Sequence, residues 1–385
     1  MMNSKKDKLT FIESLMLVAG AGIGTGILTI PYVASKVGLT GILVAIFLAY
    51  IISLITYMYL ADLTLNSKDS TQLLGILKEH LFRGRYKKVL TYLFFVIFIV
   101  ILLQNLIVYI MSATDVISEL FNIEPQISKI IFYVVASTLL MFGIKGVGIG
   151  EKISVPLISS VVILLIVLSM SDVKSSLNLA FGKPSLVIAV FGLFMFAFSA
   201  IFSVVQVTNN IEDIRYIKKA LVGGLSINMV LTLLFAIASI VGSEKVTQLA
   251  TIGLTKTINK TWVTMFCSIF VLCAMLTSYW SSALAFADVV SEELGIGKRK
   301  ACFISTIPTL VLALILPLSI IEFVQIGAGA LSIIVGIIIL PAYYNAVKEK
   351  DKKLLLGRVA KSKVLIWIVG IFTIVMAISS FIPVD

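Results

Sequence analysis

The chain has 385 residues, of which 59% are hydrophobic and 13% charged, with a mean hydropathy of +1.09. A water-soluble globular chain carries about 25% charged residues, so the composition excludes a soluble domain and places most of the mass in a bilayer. The net charge of +11 lies in the connections between apolar segments, where it reports membrane topology, and nucleic-acid binding is set aside.

Charged residues divide the chain into uncharged segments at 14–35, 37–61, 89–114, 130–144, 153–171, 184–211, 220–243, 261–287, 301–321, 323–347 and 364–384. Most reach the roughly 17–25 residues that a helical span requires. Segment 130–144 is short, and snorkelling of Lys129 extends it. Eleven spans are predicted, in one membrane domain covering 1–385. The basic start MMNSKKDK runs into a full-length apolar segment, so no cleavable signal peptide is expected.

The first span contains VAGAGIGTGILTIPY at 18–32, a stretch apolar enough to cross yet built from residues that weaken helices. Irregular backbone at membrane depth is tolerated where protein or a water-filled cavity satisfies it, and in secondary transporters such breaks bind the solute. Here the glycines allow unwinding and close approach of a ligand, and Pro31 discourages continuation. Small-xxx-small spacing at Gly20–Gly24 and Gly22–Gly26 offers a second reading, close helix packing.

Further along, the loop 62–88 carries the basic run RGRYKK. The stretch from Val89 to about Leu120 exceeds a simple crossing and holds Gln104, Asn105 and Tyr109. Residues 243–260 space Val246, Leu249, Ile252 and Leu254 as an amphipathic hairpin on the outer mouth. The stretch from Trp262 to about Leu294 is also long, and Thr277, Ser278, Ser281 and Ser282 fall on one helical stripe. Long spans tilt or project.

With the N-terminus inside, most of the 31 lysines and arginines fall on cytoplasmic stretches, as the positive-inside rule requires. An odd number of spans then leaves the C-terminus outside, in a multi-pass protein of the cell membrane contacting lipid. Cys267, Cys273 and Cys302 lack CxxC spacing, His80 is the single histidine, and no nucleophile motif such as GxSxG is present. No enzyme, resident metal or other cofactor is expected beyond a coupling cation.

The stretch AGIGTGILTIPYVASKVGLTG at 21–41 resembles the first-span signature of the amino acid/auxin permease family, within the amino acid–polyamine–organocation group of transporters. Residues 194–224, FMFAFSAIFSVVQVTNNIEDIRYIKKALVGG, resemble that family's sixth span, and 317–345, PLSIIEFVQIGAGALSIIVGIIILPAYYN, its ninth-to-tenth span region. One departure is Gln206–Val207, where family members often carry Pro-Glu.

The resemblance implies an all-α fold of two inverted five-helix repeats, at about 9–172 and 184–347, plus an extra helix at about 363–384. Spans one and six would be discontinuous and face each other at the midplane. Amides near Gly24, Thr25 and Gly26 would receive an amino acid's carboxylate. Carbonyls near Phe196, Ala197 and Phe198 would receive its ammonium. Tyr109, Phe198 and Ile201 would set side-chain selectivity, with Gly22, Asn105 and Ser199 completing the lining and pointing to a neutral, aliphatic or aromatic substrate. In sodium-coupled relatives a cation sits between first-span carbonyls and eighth-span hydroxyls, here Gly20 and Ile23 with Thr277, Ser278 or Ser281. Because no acidic residue lies near the centre of an apolar segment as divided above, sodium is favoured over a proton. Asp288 is expected to act as an inner gate pairing with Lys5, Lys6 or Lys8, with Glu13 and Glu322 in similar roles. The resulting function is a cation-coupled amino acid symporter working by alternating access. The alternative is a permease-like sensor, such as a germinant receptor subunit, that binds an amino acid without accumulating it.

Overall fold

A computed structural model describes residues 8–67, 72–81, 87–316, 334–347 and 354–383. Lys5, Lys6, Glu322 and most of the expected stretch 317–345 lie outside the described residues.

The first span opens with a capping box. Thr10 accepts from Glu13 N at 3.3 Å while Glu13 Oε2 accepts from Thr10 N at 2.8 Å. Helix α1 (Phe11–Gly22) then runs to the glycine stretch and stops, and α2 (Thr25–Ala34) continues at an angle of 53°. The break falls at Ile23 and Gly24, as the glycines foretell.

The next helices are α3 (Leu39–Leu65), the short α4 (Leu73–His80), α5 (Lys87–Phe121), α6 (Pro125–Leu140) and α7 (Gly143–Ser171). Proline at the first turn starts α6, as it does the sixth span at Pro184, where a missing N–H costs nothing. That sixth span is α8 (Pro184–Ala197) followed by α9 (Ile201–Asn210), with Phe198–Ala200 outside either helix. Then come α10 (Ile217–Gly242), α11 (Ala250–Ile258), α12 (Thr261–Leu294) and α13 (Lys298–Ile315). A π-helical turn at Ile334–Ile339 leads into α14 (Leu340–Val347), and α15 (Lys363–Ser379) follows.

Six spans are long and apolar enough to cross a bilayer, one of them α8 and α9 taken together over Pro184–Asn210, and the bent α1–α2 pair makes seven. Pro125–Leu140, Ile334–Ala346 and Lys363–Ser379 are apolar but shorter, and α13 opens on Lys298, Arg299 and Lys300. Length and composition therefore establish up to seven crossings, while the remainder of the expected eleven rests on these shorter helices. At 1.5 Å per residue, the 35 residues of α5 and the 34 of α12 exceed the roughly 30 Å hydrocarbon layer, as their sequences foretell.

Both long helices pack on each other, and α12 also meets α7 and α13. The half-helix α1 is surrounded by α7, α10 and α12, while α2 lies on α8. The face that carries Leu9 is here the near face, and the opposite one the far face. On the far face the predicted hairpin is α11, which packs on α10, α12 and α2 with Leu254 buried and Ile252 exposed.

Candidate functional site

The four glycines of the first span are each pressed by a different neighbour. A Cβ on Gly22 would overlap Asn228 Nδ2 and Ala197 O, one on Gly24 would lie 2.6 Å from Ser278 Oγ and 3.0 Å from Tyr109 Cε1, and one on Gly26 would lie 3.0 Å from the Ala197 Cβ. On Gly20 it would overlap Glu151 Oε2. Close packing and unwinding thus coincide: the residues that break the helix also let α5, α7, α8 and α12 approach it.

The breaks in spans one and six bound a closed central cavity of about 30 Å3, lined by Ala21, Gly22, Gly24, Thr25, Gly26, Asn105, Tyr109, Phe196, Ser199, Ala200, Phe202, Ser281 and Ser282. One water molecule occupies about 30 Å3 of liquid, so an amino acid enters only if side chains and half-helices move apart. Of the residues expected to bind substrate, Gly22, Gly24, Thr25, Gly26, Asn105, Tyr109, Phe196 and Ser199 meet there. The opening amides of α2 lack intrahelical partners by construction, and the Thr25 hydroxyl beside them is buried without a partner among the described residues. Phe202, Ser281 and Ser282 join the lining. The serine stripe on α12 announced the last two; Phe202 carried no signal apart from its place after the break.

Phe198 and Ile201 instead line a neighbouring small cavity with Tyr57, Met195 and Val335, which Ser199 also borders. The carbonyls expected to take the ammonium already have donors. Asn228 Nδ2 donates to Ala197 O at 2.9 Å, Ser199 N donates to Phe196 O at 2.9 Å, and Tyr57 donates to Phe198 O while accepting from Ala200 N at 2.8 Å. Carbonyl oxygens hold two lone pairs, so a second donor remains possible at Phe196 and Ala197, whereas Phe198 O also takes Ala200 N at 3.1 Å.

The expected cation ligands are also engaged. Ile23 N donates to Gly20 O at 3.0 Å, Thr277 Oγ1 bonds its own helix at Ala274 O at 3.0 Å, and Ser281 Oγ pairs with Ser203 Oγ at 2.5 Å. Ser278 Oγ reaches the first span, donating to Ala21 O at 3.2 Å. Gln206, the first residue of the Gln206–Val207 pair, donates to Ser281 O at 3.2 Å.

Two larger cavities flank the centre. The far one, about 350 Å3, is bordered by Leu28, Ser112, Asp115, Glu119 and Lys256, and the near one, about 230 Å3, by Lys145, Asn210, Leu284, Asp288 and Lys298. Tyr109 of the central lining and Ser112 of the far one, like Ser281 of the centre and Leu284 of the near one, are about one helical turn apart. On the near face Leu9 N donates to Asn210 O at 2.8 Å, and Glu212 N donates to Leu9 O at 2.9 Å. Glu13 pairs with Lys145 at 2.6 Å, and Asp288 with Lys298 at 3.2 Å. Asp288 thus faces a cation of α13, whereas the sequence pointed to the N-terminal lysines; Lys8 instead offers its carbonyl to Lys145 at 3.0 Å.

Two broken spans meeting at a closed cavity, with vestibules on opposite faces, are the architecture of a carrier. Residues 7–380 match the Tryptophan/tyrosine permease family. The chain belongs to that family. The resemblance of 21–41, 194–224 and 317–345 to amino acid/auxin permeases agrees with a permease in general, and the family matched is the Tryptophan/tyrosine permease family. No protein of curated function matches the sequence. Among solved structures, MhsT in complex with L-phenylalanine superposes with a TM-score of 0.71 at 15% identity, covering 96% of this chain and 98% of that one. Mhp1, a nucleobase-cation-symport-1 family transporter in a closed conformation with bromovinylhydantoin bound, superposes with a TM-score of 0.68 at 12% identity, covering 98% and 92%. Identities this low show the fold alone: an all-helical bundle with broken helices. The permease is a multi-pass secondary transporter for amino acids or related organic substrates, and not an enzyme.

Proposed function

We propose that this permease carries a neutral aromatic amino acid across the cell membrane by cation-coupled symport, with the near face cytoplasmic and the C-terminus outside. The observation that carries the reading is the small cavity between the two helix breaks, where Tyr109, Phe196 and Phe202 stand around the opening turn of α2. Aromatic rings pack well against an aromatic side chain, and the family is named for tryptophan and tyrosine. The positive end of α2, with Gly24, Thr25 and Gly26, suits the substrate carboxylate. The ammonium is directed to second lone pairs on the Phe196 and Ala197 carbonyls, with Asn105 and Ser199 beside them. Alternating access follows from opening one vestibule to the centre while the other stays closed.

Proteoliposomes holding the purified protein test this with labelled tryptophan, tyrosine, phenylalanine and leucine under imposed sodium or proton gradients. Saturable, concentrative uptake of the aromatic substrates, absent in Gly24→Leu, is the expected result. Saturable binding without accumulation or counterflow would point to a permease-shaped sensor instead.

A further inference from the structure

Gln206 is a long polar side chain in the near half of the sixth span, on α9 one turn past Phe202. It is 5% exposed. Its Nε2 donates to Ser281 O at 3.2 Å, whereas Oε1 is buried without a partner among the described residues. Because Ser281 O can only accept, the amide atom facing it is the nitrogen and the open one is the oxygen.

The fold alone gives no reason for an amide here. Ser281 sits inside α12, where the helix already supplies its carbonyl with a backbone donor, so the Nε2 bond serves the glutamine more than it serves α12. A buried acceptor left open costs free energy, and a methionine of similar volume would fill the same place without that cost.

Its neighbours give a reason. Ser281, which holds Nε2 through its main chain, lines the central cavity, and so does Phe202 from α9. The Ser281 hydroxyl is taken by Ser203 of α9 at 2.5 Å. The amide thus lies at the seam where α9 meets α12, with Ser281 shared between amide and cavity. The cavity is too small for an amino acid as it stands, so a substrate side chain enters by parting a wall. Apart from the first-span residues that take the carboxylate, the smallest lining side chains are Ser199, Ala200, Ser281 and Ser282. A ring anchored at α2 and pressed into that seam brings its tip toward Gln206.

We propose that Gln206 Oε1 is a specificity-determining acceptor, taking the phenolic O–H of tyrosine or the indole N–H of tryptophan. This deepens the aromatic-substrate reading and rests on it. Phenylalanine and leucine bring no side-chain donor. With them the acceptor stays open, and a site that hydrogen-bonds a substrate group rejects the analogue lacking it. The carboxylate and ammonium are common to all of these amino acids, so they carry no discrimination. Thr25, whose hydroxyl is also left open at the cavity, stands at the α2 end that takes the carboxylate.

The test is binding of tyrosine, phenylalanine and O-methyltyrosine, and of tryptophan and 1-methyltryptophan, to the full chain in nanodiscs, with counterflow in proteoliposomes as a parallel measure. The wild type is expected to bind tyrosine and tryptophan about tenfold or more tighter than phenylalanine and the methylated analogues, which keep the ring and lose the donor. In Gln206→Met the ratio of tyrosine to phenylalanine affinity should fall to about one, with phenylalanine affinity kept or improved. A residue that only supported the fold would weaken all substrates alike and leave the ratio standing, and that outcome overturns the inference. A wild type with equal affinity for tyrosine and phenylalanine overturns it too. If Gln206→Met does not assemble, Gln206→Asn withdraws the acceptor by one methylene: an intact ratio in the folded variant decides against Gln206, and a lost ratio supports it. A wild type with neither binding nor counterflow of any aromatic amino acid would instead overturn the transport reading itself.

Discussion

Ser278, on the unbroken α12, donates its hydroxyl hydrogen to Ala21 O at 3.2 Å in the last turn of α1. One side chain thus ties a rigid span to the end of the half-helix, and the same oxygen stands 2.6 Å from where a Cβ on Gly24 would fall. Strut and hinge share one spot. Gly24→Ala should therefore push α12 from the break and lower aromatic amino acid affinity by about tenfold or more, an overpacking penalty of roughly 1–3 kcal/mol. Ser278→Ala removes one hydrogen bond and should cost about 0.6–1.7 kcal/mol of stability. Binding isotherms and thermal unfolding on the two variants would separate the effects, and an unaltered Gly24→Ala would count against the tight hinge.

Tyr57 clamps the unwound Phe198–Ala200 stretch from α3. Its hydroxyl accepts from Ala200 N at 2.8 Å and donates to Phe198 O. Tyr57→Phe keeps the ring and deletes both bonds, leaving Ala200 N and Phe198 O only their 3.1 Å contact with each other. A stability loss of about 1–3 kcal/mol is expected, read as a lower unfolding midpoint, together with slower transport.

Asn228 performs a similar service for the other side of the sixth-span break. Its amide donates to Ala197 O at 2.9 Å, and its Oδ1 accepts from Thr232 at 3.0 Å. Because Nδ2 also lies where a Gly22 Cβ would be, Asn228→Leu should both orphan the carbonyl and crowd the first span. Substrate affinity is expected to fall by about tenfold or more, corresponding to about 1.4 kcal/mol, whereas a change confined to stability would show that the residue only supports the fold.

Near-face closure depends on the 2.6 Å pair of Glu13 with Lys145. Lys145→Ala leaves Glu13, which is 6% exposed, without its cation and should loosen α1 at its start. With a cysteine placed at Ala287 on the wall of the near cavity, thiol labelling by a water-soluble reagent should be several-fold faster in Lys145→Ala. Equal rates in the two backgrounds would remove the pair from the gate.

The first break was legible in the sequence because four glycines in one span have few other uses, and the structure bends the chain at Gly24 within that run. The second break was not legible by composition. Phe198, Ser199 and Ala200 leave the helix without a glycine among them, since Tyr57 and Asn228 supply the bonds that the backbone gives up. Such support comes from residues 141 and 31 positions away in the chain, and no local pattern carries it. Glu151, buried inside α7, was missed for the opposite reason. A charge was taken as the edge of a span, though a carboxyl group can lie inside one wherever a facing glycine leaves a recess for it. Phe198 in the break and Ile201 at the start of α9 border a side cavity, because a broken helix gives no regular period from which to read direction.

The near-face tie between Leu9 and Ile211 is an isolated bridge made by main-chain atoms, Leu9 N to Asn210 O and Glu212 N to Leu9 O. Every residue except proline brings the same N–H and C=O to that spot. The hydrogen bonds of such a latch are indifferent to side-chain identity, whereas Leu9 and Ile211 are also buried in the core. An alanine scan there would register lost packing while leaving the two half-helices buttoned together, and only proline at position 9 or 212 would undo the button itself.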